Sequence, residues 1–117
     1  MNRWLMPLLA AVVLIVGAAA SVSAAELVMI DSRACSYCAK FKREIMPGYA
    51  GTPAGLVAPL RLVSPLRKWP ADLRGVKQTP FAPVFILVDN GREVGRFFGY
   101  ASAQTFWAKL NPLISDL

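Results

Sequence analysis

Cys35-Ser36-Tyr37-Cys38 holds the only two cysteines in a chain of 117 residues. The pair follows a short apolar run, Leu27-Val28-Met29-Ile30, and precedes residues with helical spacing. Two thiols on the first turn of a helix lie close enough to join and part repeatedly. The first would sit at the helix N-terminus, where unpaired backbone N–H groups and the positive end of the helix dipole favour a thiolate. A fixed structural staple is the competing reading. A ring closed over so few residues removes little chain entropy, and staples ordinarily join distant segments. Disulfide exchange needs an attacking thiolate and a resolving thiol beside it, and this spacing supplies both.

Composition narrows the chemistry further. The chain has no histidine, which excludes a Ser-His-Asp triad, a Cys-His dyad and any histidine-ligated metal site. Two cysteines alone cannot close a four-ligand zinc site. The formal net charge is +6, from 13 basic and 7 acidic residues. The charges are scattered, so a solvated basic surface is the plain reading and an acidic partner the sharper one. Nucleic acid is not expected, because no basic stripe interleaved with aromatics is present.

Residues 1–24 read as a targeting segment and 25–117 as one domain. Asn2-Arg3 form a short charged start, Leu8 to Val16 are an apolar core, and Val22-Ser23-Ala24 is a small-residue cleavage signal before Ala25. The alternative is a retained anchor, since Trp4 to Ala25 carries no charge and could just span a bilayer. Cleavage is the better reading because the strongly apolar core is short, and it leaves no stable anchor. Either way the domain is exported, to an oxidising compartment such as the periplasm. Losing Arg3 with the leader leaves 12 basic and 7 acidic residues.

The remaining chain divides into short elements. Glu26 to Asp31 is a strand whose continuous apolar run suits burial on both faces. A helix starts near Cys35, with Tyr37, Phe41 and Ile45 as its expected buried stripe, and Pro47-Gly48 stops it. Tyr49 to Pro59 is rich in Gly, Pro and Ala and reads as a loop. Leu60-Arg61-Leu62-Val63 is a second strand, and Pro70 to Gly75 a short helix with proline at its start and glycine after its end. Val84-Phe85-Ile86-Leu87-Val88 has the composition of a central strand. Asp89-Asn90-Gly91 is a hairpin turn, and the return strand runs from Arg92 to Phe98. Ser102 caps a last helix with Phe106, Leu110 and Leu113 or Ile114 inward, which Pro112 is expected to kink or end. The expected order is β-α-β-α-β-β-α, an α/β fold with a mixed central sheet. Two β-α-β crossovers are expected to make parallel pairs, and the hairpin to add an antiparallel edge.

This order resembles the thioredoxin superfamily, in its minimal form. The motifs that carry the likeness are Cys35-Ser36-Tyr37-Cys38-Ala39-Lys40-Phe41, Phe81-Ala82-Pro83-Val84-Phe85-Ile86-Leu87-Val88-Asp89, and Gly91-Arg92-Glu93-Val94-Gly95-Arg96 leading to Gly99-Tyr100. Within the superfamily the chain is similar to small exported thioredoxin-like proteins of proteobacteria, some associated with sulfur-oxidation systems in which they keep carrier proteins reduced. It departs from thioredoxins proper, which have Trp before the first cysteine and Gly-Pro between the two. Here Ala34 precedes the pair and Ser36-Tyr37 separates it. The buried aspartate of thioredoxins cannot be mapped onto Asp31, which is too close to Cys35.

The resemblance implies a thiol–disulfide oxidoreductase that needs no cofactor and no metal. Cys35 is the implied nucleophile and Cys38 the resolving thiol. Pro83 alone reads as an ordinary trans proline at a strand start. By resemblance its bond to Ala82 is cis and lies beside the cysteines, leaving the backbone of Ala82 free to pair with a substrate peptide. Pro80 fits the ordinary reading. Tyr37 is a candidate rim residue, as are Phe81 and Tyr100, although packing is the plainer role for each. Arg33 is a candidate for lowering the pKa of Cys35, whereas Lys42 and Arg43 read as a solvated helix face. The implied partners are protein thiols and disulfides, with a membrane-bound electron donor. Two rivals stand beside this: a Cu(I) chaperone using the two thiolates, and a membrane-tethered interaction module.

Overall fold

Alternation of apolar side chains decides how the sheet is covered. The computed structural model describes residues 24–117, so the expected leader lies outside the described residues except for Ala24. Strand β1 (Ala25–Ile30) is buried along nearly its whole length. Its Leu27 and Met29 join one core cluster while Val28 and Ile30 join another. Strand β3 (Val84–Asp89) divides in the same way, with Phe85 on the first side and Val84, Ile86 and Val88 on the second. Both strands therefore sit in the middle of the sheet. Strands β2 (Leu60–Val63) and β4 (Arg92–Phe98) complete it in the order β2-β1-β3-β4.

The pairings correct one expectation. β1 and β2 are parallel, but β3 runs antiparallel to β1 as well as to β4. The second crossover therefore makes no parallel pair. The reason lies in the register: Ile30 is flanked by Val63 of β2 and Val84 of β3. The chain leaves β2 and enters β3 at one end of the sheet, so residues 64–83 double back instead of crossing its length. They contain a single 3₁₀ turn, Ala71–Leu73. Trp69, Leu73 and Val76 from this connector pack against Val28, Ile30 and Ile86.

The other face is covered by helices. Helix α1 (Ser36–Glu44) follows Cys35 and buries Cys38 and Phe41, with Ile45 buried just past its end. Tyr37 is 61% exposed. The inward stripe is thus Cys38, Phe41, Ile45, and the expectation that Tyr37 belonged to it is corrected. Both spacings fit a helix of 3.6 residues per turn, and the short, readily buried cysteine takes the place the tyrosine was given.

Two further corrections concern proline. Helix α2 (Met46–Tyr49) carries Pro47 in its first turn, where a missing N–H is harmless, so Pro47 ends α1 but starts a new turn. Helix α3 (Pro53–Val57) lies where a loop was expected. Thr52 caps it, its hydroxyl accepting the Gly55 N–H at 3.0 Å. Helix α4 (Ala103–Ser115) begins as expected with the Ser102 hydroxyl accepting the Thr105 N–H at 3.2 Å. It runs through Pro112 without ending there. Leu110 before the proline is fully buried, and Leu113 and Ile114 after it pack against the same core, so both sides are held in place. A Cβ on Gly95 of β4 would come within 2.5 Å of a Leu113 methyl, so the leucine side chain of α4 packs into the space that glycine leaves open. At the far end, Asn90 and Gly91 both adopt positive φ (51° and 76°), as the hairpin turn requires.

Candidate active site

The site forms where β1 ends and α1 begins. The Asp31 N–H donates to the Val63 carbonyl at 2.9 Å, which closes the β1–β2 ladder. The Cys35 N–H then donates to the Ser32 carbonyl at 3.3 Å, turning the chain into the helix. Cys35 is the N-cap: its Sγ accepts the Cys38 N–H at 3.1 Å. One of the four orphan donors of the helix start is thereby aimed at the first sulfur. Cys35 and Cys38 are joined as a disulfide, with their Cα atoms 5.2 Å apart. Their surroundings differ. Cys38 is 1% exposed within the aromatic core, whereas Cys35 is only partly buried and opens to the surface.

Cys35 lines an open depression of about 440 Å³ together with Ser36, Tyr37, Pro80, Phe81 and Ala82. The structure thus brings Tyr37 and Ala82 together with Cys35 in one depression. The Ala82–Pro83 bond is cis. Pro83 itself is buried, and its carbonyl accepts the Gly99 N–H at 2.8 Å. Among the described residues, the backbone of Ala82 has no hydrogen-bond partner within the chain. Phe81 is 64% exposed and belongs to the rim. Tyr100 does not. It is buried under α1, its hydroxyl donates to Glu44 Oε1 at 2.9 Å, and burial first, then Glu44, pushes its pKa up to about 12. Arg33 is exposed and stays outside the lining of the depression, so any influence on Cys35 acts through space.

One contact was not read from the sequence. Lys42 Nζ sits 2.5 Å from Asp31 Oδ2, tying the middle of α1 to the end of β1. The other Asp31 oxygen, Oδ1, is buried without a partner among the described residues. The signal was a lone acid directly after a buried strand, followed by a basic helix face. Among the described residues, no group of three or more His, Cys, Asp or Glu side chains could hold a metal ion. Nor is any described helix long and apolar enough to cross a membrane.

No family model matches the chain, and no curated protein matches it. A solved structure does. The crystal structure of the periplasmic thioredoxin SoxS from Paracoccus pantotrophus, in its reduced form, superposes with a TM-score of 0.74 at 33% sequence identity. The match covers 78% of this chain and 96% of that one.

Proposed function

The chain belongs to the thioredoxin superfamily, and from that membership we propose that it is an exported thiol–disulfide oxidoreductase that reduces partner proteins in the periplasm. The observation that carries this reading is the asymmetry of the pair: Cys35 caps the helix at the surface, and Cys38 lies buried one turn inside. In the reduced protein the Cys35 thiolate attacks one sulfur of a partner disulfide. A bond forms between them, the partner's S–S bond breaks, and its second sulfur leaves as a thiolate. Cys38, once deprotonated, attacks Cys35 Sγ. That closes the Cys35–Cys38 disulfide and releases the partner's first sulfur, so two electrons have passed to the partner. A membrane-bound dithiol donor returns them. Tyr37, Phe81 and Ala82 form the surface on which the partner lies, and the free backbone of Ala82 supports pairing with an extended peptide. A carrier protein of sulfur oxidation is the candidate partner, and the similarity to a periplasmic thioredoxin supports the exported setting of the reaction.

Single-cysteine variants test the assignment. Cys38→Ser is expected to attack but not resolve, and so to accumulate mixed disulfides visible on a non-reducing gel. Cys35→Ser is expected to trap nothing. Trapping by the second variant reverses the roles. Undiminished disulfide exchange in both variants refutes the redox function.

A further inference from the structure

The depression that holds Cys35 does not end at Phe81. Pro80 and Phe81 also line a second depression of about 350 Å³, which Lys77, Arg96 and Phe98 border as well. Gln78 belongs to that one and to a third, of about 400 Å³, which carries Lys68 and Arg74. The three adjoin through shared residues, so one surface track leads from the reactive sulfur to Lys77, then to Lys68 and Arg74. All three cations are exposed, and none has an acidic partner among the described residues.

Acidic side chains near the track are already engaged. Glu93 is the one acid in the lining, and Arg96 Nε holds its Oε2 at 2.9 Å. Asp72, on the connector beside Arg74, is gripped by both terminal nitrogens of Arg61, at 2.6 and 3.0 Å. The track therefore presents uncompensated positive charge next to an exposed aromatic ring, in line with a net charge of +6 for the whole chain. Uncompensated charge of one sign around a reactive centre steers partners of the opposite sign and sets association rate and salt dependence more than final affinity.

Building on the oxidoreductase function proposed above, we infer that this track docks an acidic polypeptide segment adjoining the partner's reactive cysteine. The partner's disulfide meets Cys35, a side chain next to it packs on Phe81, and carboxylates further along the segment face Lys77, Lys68 and Arg74. A polypeptide is favoured over other polyanions because the track starts at a thiol pair whose reaction requires a sulfur-bearing partner.

The test uses the full protein, reduced beforehand with a small dithiol, and two synthetic disulfide peptides. They are identical except that the residues on one side of the cysteines are glutamates in one and glutamines in the other. Stopped-flow mixing gives the second-order rate constant of each. At low salt the glutamate peptide is expected to react about ten times faster, within the range that electrostatic steering reaches, and the advantage is expected to vanish at high salt. The combined variant K68Q/R74Q/K77Q is expected to lose the advantage while reducing neutral hydroxyethyl disulfide at the unaltered rate. Equal rates for the two peptides at low salt, or an advantage that survives in the variant, overturn the inference. So does loss of binding to phosphatidylglycerol vesicles in the variant without change in the peptide ratio, which would assign the surface to lipid. Failure to reduce even hydroxyethyl disulfide instead removes the oxidoreductase function itself.

Discussion

On one face of the sheet, the Phe41 ring of α1 meets Phe85, Phe106 and Tyr100, with centroids 4.8, 5.2 and 5.5 Å away. On the other, β-branched and aliphatic side chains of β1 and β3 are covered by Trp69, Leu73 and Val76 from a connector with one 3₁₀ turn. The first face is closed by regular helices and interlocking rings, the second by a folded-back strap. The difference follows from where the chemistry sits. Cys38 belongs to the aromatic cluster and Cys35 is packed against it, so the rings that hold α1 also hold Cys38 in place behind the more open Cys35. The strap carries no reactive group. It contributes the Pro80-Phe81-Ala82 edge of the site and the cations beside it.

This contrast can be broken by truncating one residue from each face. Phe41→Ala removes a fully buried ring from the centre of the aromatic cluster and is expected to cost about 3–5 kcal/mol. In a domain this small that approaches total stability, about 5–15 kcal/mol for folded proteins generally. Leu73→Ala on the strap side is expected to cost less, about 2–3 kcal/mol, because an irregular segment collapses more readily around a gap than packed helices do. Urea unfolding of the oxidised proteins measures both. A larger loss for Leu73→Ala would mean that the strap, not the aromatic cluster, holds the fold together.

Alkaline pH sharpens the same comparison, with a smaller effect. Tyr100 lies on the aromatic face, and its pKa is raised from 10.0 to about 12, first by burial and then by Glu44. The unfolded chain therefore gives up this proton before the folded one does. Between these two values the unfolded state binds fewer protons, so the contribution is complete below pH 10 and is lost as pH rises towards 12. Tyr100→Phe is expected to flatten the fall in stability over that window. An unchanged slope in the variant would place the alkaline loss elsewhere, and Tyr49, also raised by burial, is the next group to replace.

Much of this was legible in the sequence. The apolar runs of β1 and β3 fixed the central strands, because only strands buried on both faces dispense with alternation. Asn90-Gly91 set the hairpin, and Ser102 marked the start of α4. Tyr37 stands between the cysteines in sequence, whereas the place of Ala82 in the same depression came from the resemblance and from no local pattern. What failed was non-local or overridden. The antiparallel pairing of β1 with β3 depends on where residues 64–83 return, which no local pattern records. The density of Gly, Pro and Ala between Tyr49 and Pro59 masked α3, although Thr52-Pro53 is a serviceable helix start. Pro112 was expected to kink or end α4, and the helix runs on past it, held by the packing of Leu113 and Ile114 that propensity ignores. For Tyr100 the plainer reading, packing, is the one the structure shows: its ring turns inward to Phe41. The Asp31–Lys42 tie joins two residues whose spacing becomes meaningful only once the strand-to-helix turn is known.

The most direct test of the central claim, that helix position makes Cys35 the attacking thiolate, is alkylation of the two single-cysteine variants as a function of pH. In Cys38→Ser, the N–H of residue 38 still points at the Cys35 sulfur, and a reactive thiolate that titrates well below the ~8.5 of a free thiol is expected. In Cys35→Ser, burial of Cys38 predicts slow alkylation that begins only above that value. If Cys38 is instead the faster and more acidic of the two, the roles assigned here are contradicted.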